Sequence, residues 1–191
     1  MINVPLRILL VEDNEADILI TKRALAELVE APDIEEVQDL SSCRDKMINF
    51  VPDVVISDYN LPTCTGLEIL DLVREIDPTT PFIFLTGTLQ DEELAANTIL
   101  SGASGFILKK HMNVLGEKLK PLLKKVVFNL NTKADLREQI RKNRISVNQI
   151  NDYLDNLDSD NKEQRENITR IKTSLRKFNL GNEDEDYDRN P

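Results

Sequence analysis

The sequence predicts an α/β fold, a doubly wound parallel sheet of five strands followed by an all-helical C-terminal extension. Five short apolar runs alternate with helical patterns through residue 128. The runs at 54–56 and 82–85 are apolar at every position, as in strands that helices cover on both faces. Beyond residue 128, apolar residues follow a heptad spacing instead. Successive β/α units favour parallel strands joined by right-handed crossovers, with helices on both sides of the sheet.

Each element has its own signal along the chain. Strand-like segments lie at 6–12, 34–38, 53–57, 81–86 and 105–109. Helical patterns lie at 15–29, 41–50, 66–76, 90–101 and 113–128. Pro52, Pro78 and Pro81 stand at the approaches to the third and fourth strands, and Gly102 and Gly105 bracket the turn into the fifth.

Composition bounds the class of protein. The chain has 191 residues, enough for one buried domain with an appendage, and a net charge of −10. It has no apolar run of membrane-spanning length and no signal-peptide pattern at its N-terminus. Two cysteines, Cys43 and Cys64, make no disulfide framework. The first 128 residues carry 12 basic and 21 acidic side chains, unlike a nucleic-acid binder. We therefore expect a cytoplasmic protein that binds neither nucleic acid nor membrane.

Polar side chains stand at the carboxyl ends of four predicted strands. Glu12 and Asp13 end the first strand, and Asp58 follows the third. Thr86 ends the fourth strand and Lys109 the fifth. Parallel strands bring these ends to one edge of the sheet, where open α/β folds place their sites. Clustered carboxylates repel one another unless a divalent cation joins them. The pattern predicts a Mg²⁺-dependent site in which an aspartate accepts a phosphoryl group.

Five motifs in this order resemble the receiver domain of two-component response regulators, the CheY-like family. The resemblance covers residues 5–128 and implies a flavodoxin-like sheet with the strand order 2-1-3-4-5. We accordingly assign residues 1–128 to a receiver domain. The motifs are Val11-Glu12-Asp13-Asn14, Asp58, its followers Pro62 and Gly66, Thr86-Gly87, and the segment from Gly102 to Lys109.

The resemblance implies a role for each residue at the acidic end of the pocket. Asp58 matches the phospho-acceptor, which forms a mixed anhydride with phosphate that comes from a histidine kinase or phosphotransfer protein. Mg²⁺ would be held by Asp13, Asp58 and the backbone carbonyl of Asn60, with Glu12 acting at longer range or through water.

The resemblance also implies the phosphoryl-binding and switch residues. Lys109 would supply positive charge to the phosphoryl group, Thr86 a hydroxyl donor, and Gly87 an unobstructed approach. Phe106 matches the aromatic that turns inward on phosphorylation, which changes the surface of helices 90–101 and 113–128 and the fifth strand. It has no hydroxyl, so its coupling would be by packing. Lys110 departs from the family, which usually has proline there.

The C-terminal part carries a heptad that continues without a slip from Leu136 to Phe178. We assign 129–180 to a helical extension and 181–191 to an acidic, disordered tail. A parallel homodimeric coiled coil is favoured because the register survives the polar positions around Asn161. A hairpin of two helices and a helix packed on the receiver are the alternatives. The predicted oligomerisation residues are Ile140, Val147, Ile150, Leu154, Leu157, Ile168, Ile171 and Leu175.

The predicted function is signalling without enzymatic activity. The receiver would accept phosphate and alter a contact with a downstream protein; a helix-turn-helix pattern for DNA binding does not occur after residue 128. One alternative is a non-cycling pseudo-receiver adaptor that oligomerises through its C-terminal helices. Another is a hydrolase with Asp58 as nucleophile, which Asn60 disfavours because a haloacid-dehalogenase-like enzyme has a second aspartate at that offset.

Overall fold

The computed structural model describes residues 1–87, 101–131, 134–155, 166, 168–171 and 173. The chain divides into two compact units, Met1–Arg137 and Glu138–Pro191. The predicted helix at 90–101 lies outside the described residues. Within the described part of the chain, no helix combines the length and apolar character that a membrane crossing requires.

Five parallel strands form the sheet of the first unit. Their order is β2-β1-β3-β4-β5, which confirms the predicted fold. Val11 of β1 lies beside Ser57 of β3, and Thr86 of β4 lies beside Leu108 of β5. All four residues end their strands, so these strand ends share one edge of the sheet. The strands are β1 Leu6–Val11, β2 Pro32–Val37, β3 Val54–Ser57, β4 Phe82–Thr86 and β5 Gly105–Leu108.

The described helices begin within two residues of the predicted ones where both can be compared. The last helix of the predicted receiver starts two residues late, because a 3₁₀ helix, Lys109–Val114, follows β5 directly. Side chains of Asn14, Asp39 and Thr65 cap the first three helices by accepting backbone N–H bonds. The helices are α1 Glu15–Leu28, α2 Leu40–Asn49, α3 Gly66–Ile76, α4 Leu115–Asn131 and α5 Ala134–Asp155.

Two apolar clusters fill the two faces of the sheet. β1 serves both, because successive side chains of a strand point to opposite faces. Leu6, Ile8 and Leu10 belong to a cluster that includes residues of α1 and α4. Leu9 and Val11 belong to a cluster that includes residues of α2 and α3. The sheet is therefore covered on both sides, and the inner strands β3 and β4 carry no charged side chain.

Candidate functional site

Backbone hydrogen bonds extend the sheet past its strands and bring two carboxylates to the same edge. The Glu12 N–H donates to the Val37 carbonyl at 3.0 Å, and the Asp58 N–H donates to the Val11 carbonyl at 2.9 Å. These bonds tie the residue after β1 to β2 and the residue after β3 to β1. Glu12 and Asp58 are thus placed by the sheet itself.

Three carboxylates meet at this edge. Glu12, Asp13 and Asp58 each offer an oxygen, and these oxygens lie within 4.8 Å of one another. Glu12 is 1% exposed and Asp58 7% exposed, while Asp13 is more accessible. Burial raises the pKa of Glu12, and the charge of Lys109 opposes that shift only in part. Buried carboxylates so close together need positive charge between them.

The donor set fits a hard divalent cation. Mg²⁺ takes oxygen ligands, commonly one or two carboxylates together with water or phosphate oxygens. Glu12 Oε2 is fully buried and meets Lys109 Nζ at 2.8 Å without good hydrogen-bond geometry, so its bonding capacity is not met by the protein. The predicted third ligand, the Asn60 carbonyl, lies two residues after Asp58 in the loop before α3; its role as a ligand stays a prediction.

Lys109 reaches the same edge from the end of β5. Its Nζ donates a hydrogen bond to Asp58 Oδ2 at 2.8 Å and lies 2.7 Å from Asp17 Oδ2. Its side chain is 14% exposed. Burial alone would lower the pKa of Lys109, but hydrogen bonds to Asp17 and Asp58 outweigh it and raise the pKa above the ordinary value. The ammonium is therefore a permanent positive charge of the site.

Sequence reasoning missed Asp17. It stands in the first turn of α1, three residues after the N-cap Asn14, whose side chain accepts its N–H at 3.2 Å. Acidic residues are common in first helical turns because they complement the helix dipole, so this position gave no distinguishing signal. Its contact with Lys109 arises where the start of α1 meets the end of β5. We call Glu12, Asp13, Asp17, Asp58 and Lys109 together the strand-end pocket.

The acceptor candidate is held in a fixed orientation. Asp58 Oδ1 accepts the N–H of Tyr59 at 2.6 Å, and the Ser57 hydroxyl donates to the Asp58 carbonyl at 2.7 Å. Gly66 packs against the same loop: a Cβ there would lie 2.5 Å from the Asp58 carbonyl oxygen and 2.9 Å from Tyr59 Cα. The Gly66 N–H donates to the Tyr59 carbonyl at 2.8 Å. Glycine is needed because both obstructing atoms are backbone.

The predicted switch residues occupy the neighbouring strands. Thr86 is buried at the end of β4, beside the residue that precedes Lys109. Gly87 is exposed, and a Cβ there would lie 3.8 Å from Lys109 Cδ, so it borders the lysine stem. Phe106 is half-buried, pairs with Phe84 of β4, and packs against the cluster on the α2 and α3 face. The switch roles of these residues stay predictions.

The predicted oligomerisation residues differ from one another in exposure. Val147 and Leu154 are buried, Ile168 is half-buried, and Ile150 and Ile171 are each 46% exposed. Leu157 and Leu175 and the side chain of Ile140 lie outside the described residues. The choice between a dimeric coil and a hairpin therefore stays a prediction.

This chain is similar to known proteins in sequence and in fold. The family model described as the response regulator receiver domain matches residues 8–120. The transcriptional regulatory protein TrcR of Mycobacterium tuberculosis is 37% identical over 123 residues, which are 63% of this chain and 46% of that protein. A protein-glutamate methylesterase/protein-glutamine glutaminase of Sulfurimonas denitrificans is 26% identical over 146 residues, 74% of this chain and 41% of that protein. The chain thus spans less than half the length of these two relatives.

The fold has close counterparts among solved structures. The signal receiver domain of a putative LuxO repressor protein from Vibrio parahaemolyticus aligns with a TM-score of 0.60 and 26% identity. The alignment covers 68% of this chain and 98% of that one. The part of the chain that aligns is therefore comparable in size to a whole receiver domain.

Proposed function

Because this chain belongs to the response regulator receiver family, we propose that it accepts a phosphoryl group on Asp58 and uses it to change a protein–protein contact. The matching family model covers more than half of the chain, residues 8–120, and the chain is a receiver domain of a two-component response regulator in that part. The observation that carries the proposal is the strand-end pocket. It gathers three carboxylates whose oxygens lie within 4.8 Å of one another, together with one ammonium.

The residues of the pocket divide the work of phosphoryl transfer. One Asp58 oxygen bonds to phosphorus as the donor's own bond to phosphorus breaks, which leaves a mixed anhydride on the protein. Such a transfer depends on positioning and on neutralising charge more than on covalent help. The Tyr59 N–H at 2.6 Å from Oδ1 holds the carboxylate plane, and Lys109 places an ammonium 2.8 Å from Oδ2.

The carboxylates also prepare the pocket for a cation. Asp13, Asp58 and the carbonyl of Asn60 would hold Mg²⁺, with Glu12 close by or bound through water. The ion would neutralise part of the carboxylate charge and receive phosphoryl oxygens. Thr86, buried at the end of β4, would supply a hydroxyl donor to the phosphoryl group, and Gly87 would leave its approach open. The phosphate source would be a histidine kinase or a phosphotransfer protein.

The output we propose is a change of contact with a downstream protein, without DNA binding and without an enzymatic reaction. The relatives named above include a transcriptional regulator and a methylesterase, but this chain matches less than half of each. The segment after the receiver is instead helical in its described part and carries the heptad. A homodimer formed through that segment accords with the exposure of Ile150 and Ile171.

The acceptor assignment is tested by labelling with a small phosphodonor. We expect wild-type protein with acetyl phosphate and Mg²⁺ to gain the mass of one phosphoryl group. Asp58→Asn should gain no phosphoryl group, because a neutral amide is too weak a nucleophile to act in place of the carboxylate. Asp71→Asn, at an exposed position of α3, is the matched control and should label like wild type. A fully labelled Asp58→Asn protein would refute the assignment.

The assembly proposal has a separate test. Light scattering of the full chain with Mg²⁺, before and after adding beryllofluoride as a phosphoryl mimic, reports the mass in both states. A mass that changes in wild type but not in Asp58→Asn means phosphorylation controls assembly. An unchanged dimer assigns oligomerisation to the helical segment alone, and a monomer in both states removes the homodimer from the proposal.

A further inference from the structure

The Lys109 ammonium has three carboxylate neighbours, and the predicted pocket includes only two of them. Nζ lies 2.8 Å from Glu12 Oε2, 2.7 Å from Asp17 Oδ2 and 2.8 Å from Asp58 Oδ2. A lysine ammonium has three N–H groups and no acceptor. Three carboxylates at these distances therefore surround the ammonium, although the contact with Glu12 lacks hydrogen-bond geometry. A phosphoryl oxygen that approaches Lys109 must compete with these partners.

The three partners are not equivalent toward a cation. Glu12 and Asp58 belong, with Asp13, to the cluster whose oxygens lie close enough to share one ion. Asp17 is outside that cluster and is attached to α1 instead. A divalent cation held by this cluster would compete with Lys109 for Glu12 and Asp58. Asp17, outside the cluster, would remain available to the lysine.

We propose that Asp17 is a positioning residue that holds the Lys109 ammonium beside Asp58 when a divalent cation has taken over Glu12 and Asp58. Two N–H groups of the lysine would then point to the place where phosphoryl oxygens arrive. This inference rests on the proposed function, which it extends by one residue. It also explains how a single lysine can neutralise the carboxylates without a cation and bind a phosphoryl group with one.

The local structure suits that role. Asp17 is anchored by the capped first turn of α1, where Asn14 accepts N–H bonds from Ala16 and Asp17. Its side chain is 21% exposed, against 14% for Lys109, so both charged groups are largely shielded from solvent. A lysine this deeply placed is costly to leave without a counter-charge. The Asp17 contact lowers that cost during cation binding.

The inference is tested first by Mg²⁺ binding, without any phosphoryl donor. Isothermal titration calorimetry would compare wild type, Asp17→Asn and the control Glu15→Gln. Glu15 is exposed in the same first turn of α1, so both variants remove one negative charge from the same place in the fold. We expect Asp17→Asn to weaken Mg²⁺ binding about tenfold, because the displaced ammonium loses its remaining partner. Glu15→Gln should change it by about twofold or less.

The same comparison in a Lys109→Met background separates positioning from simple charge. Without the ammonium there is nothing to hold, so Asp17→Asn and Glu15→Gln should then have similar, small effects. A tenfold effect that persists without Lys109, or Asp17→Asn equal to Glu15→Gln in the wild-type background, would overturn the inference. Asp17→Ser, with its fold checked by circular dichroism, is the second variant and should behave like Asp17→Asn.

Phosphorylation rates at saturating Mg²⁺ complete the test. We expect Asp17→Asn to accept phosphate from acetyl phosphate about tenfold more slowly than wild type, because the lysine is no longer held at the acceptor. A faster rate would mean that Asp17 restrains the lysine, and it would overturn the inference. If Mg²⁺ affinity differs among wild type, Asp17→Asn and Glu15→Gln as expected while wild type accepts no phosphate, the proposed function fails and the positioning role stands. If wild type is labelled normally and Asp17→Asn matches Glu15→Gln, only the positioning role fails.

Discussion

The strand-end pocket buries charged side chains, whereas the heptad face of α5, which comprises Val147, Ile150 and Leu154, exposes an apolar side chain to solvent. In the pocket, charge is buried: Glu12 is 1% exposed and Lys109 14% exposed. On α5, apolar surface is exposed: Ile150 is 46% accessible. The pocket is built by backbone bonds of the sheet, which hold it in place before any ion arrives. An exposed isoleucine, by contrast, acquires its function only from what covers it.

The largest effect we expect is from Lys109→Met, which would break the balance of charge in the pocket. Two buried carboxylates, Glu12 and Asp58, would lose the lysine ammonium that neutralises them. Breaking a buried ion pair typically costs about 3–5 kcal/mol in stability. The free energy of unfolding in urea without Mg²⁺ measures this loss. Adding Mg²⁺ should recover part of it, because a ligand of the folded state stabilises that state. Lys110→Met, at an exposed position, is the control and should change the unfolding free energy little.

A second prediction concerns the backbone that holds the acceptor. Gly66→Ala would place a methyl group 2.5 Å from the Asp58 carbonyl and 2.9 Å from Tyr59 Cα, so the loop after β3 must shift. We expect a loss of about 1–3 kcal/mol in unfolding free energy and weaker Mg²⁺ binding. Gly116→Ala is the matched control, since a Cβ there meets nothing within 4 Å. That variant should be neutral or more stable by up to about 1 kcal/mol. Equal effects at both glycines would show that the loop yields easily.

The third prediction uses pH. Burial raises the pKa of Glu12, so the folded protein binds its proton more readily than the unfolded chain does. The stabilisation from this proton is complete below the ordinary value of 4.5 and is lost as the pH rises through the raised value. Without Mg²⁺, Glu12→Gln should therefore be more stable than wild type at neutral pH, because the amide resembles the neutral form that burial favours.

The difference between Glu12→Gln and wild type is the quantity to follow. It should be largest near neutral pH and should shrink toward pH 4.5, where the wild-type carboxyl also binds a proton. Chemical denaturation at a series of pH values measures it. A difference that does not vary with pH would place the cause in packing rather than in charge. With Mg²⁺ present the order should reverse, because the variant loses a carboxylate that favours the ion.

The contrast between the strand-end pocket and the heptad face of α5 also explains which features could be predicted from the sequence. A parallel sheet forces the ends of its strands together, so Glu12, Asp58 and Lys109 had to meet once the strands were recognised. Asp17 escaped because its contact depends on how α1 leaves the sheet and on the direction of one side chain. The late start of α4 escaped for a similar reason: Lys109–Val114 forms a 3₁₀ helix, a difference of hydrogen bonding that apolar periodicity does not reveal.

The heptad was easier to see than to interpret. Its spacing predicts a helix, and α5 is helical from Ala134 to Asp155. The spacing does not determine what the apolar stripe packs against, because a coil, a hairpin and a docked helix need the same residues in the same order. Val147 and Leu154 are buried while Ile150 is not, so the stripe is only partly covered.

The smallest expected effect on stability, and the sharpest test of the contrast, is Ile150→Gln. If the exposed isoleucine serves a partner, its loss should change the unfolding free energy of dilute protein by no more than about 0.5 kcal/mol, as for other surface substitutions. Self-association, measured by sedimentation velocity over a range of concentrations, should nevertheless weaken. Gln149→Ala, at the adjacent exposed position outside the heptad seam, should leave both properties unchanged. A loss of stability as large as that of Lys109→Met would mean that Ile150 already packs within its own chain. The heptad face would then be satisfied internally, and the signal from Asp58 would need another surface on which to act.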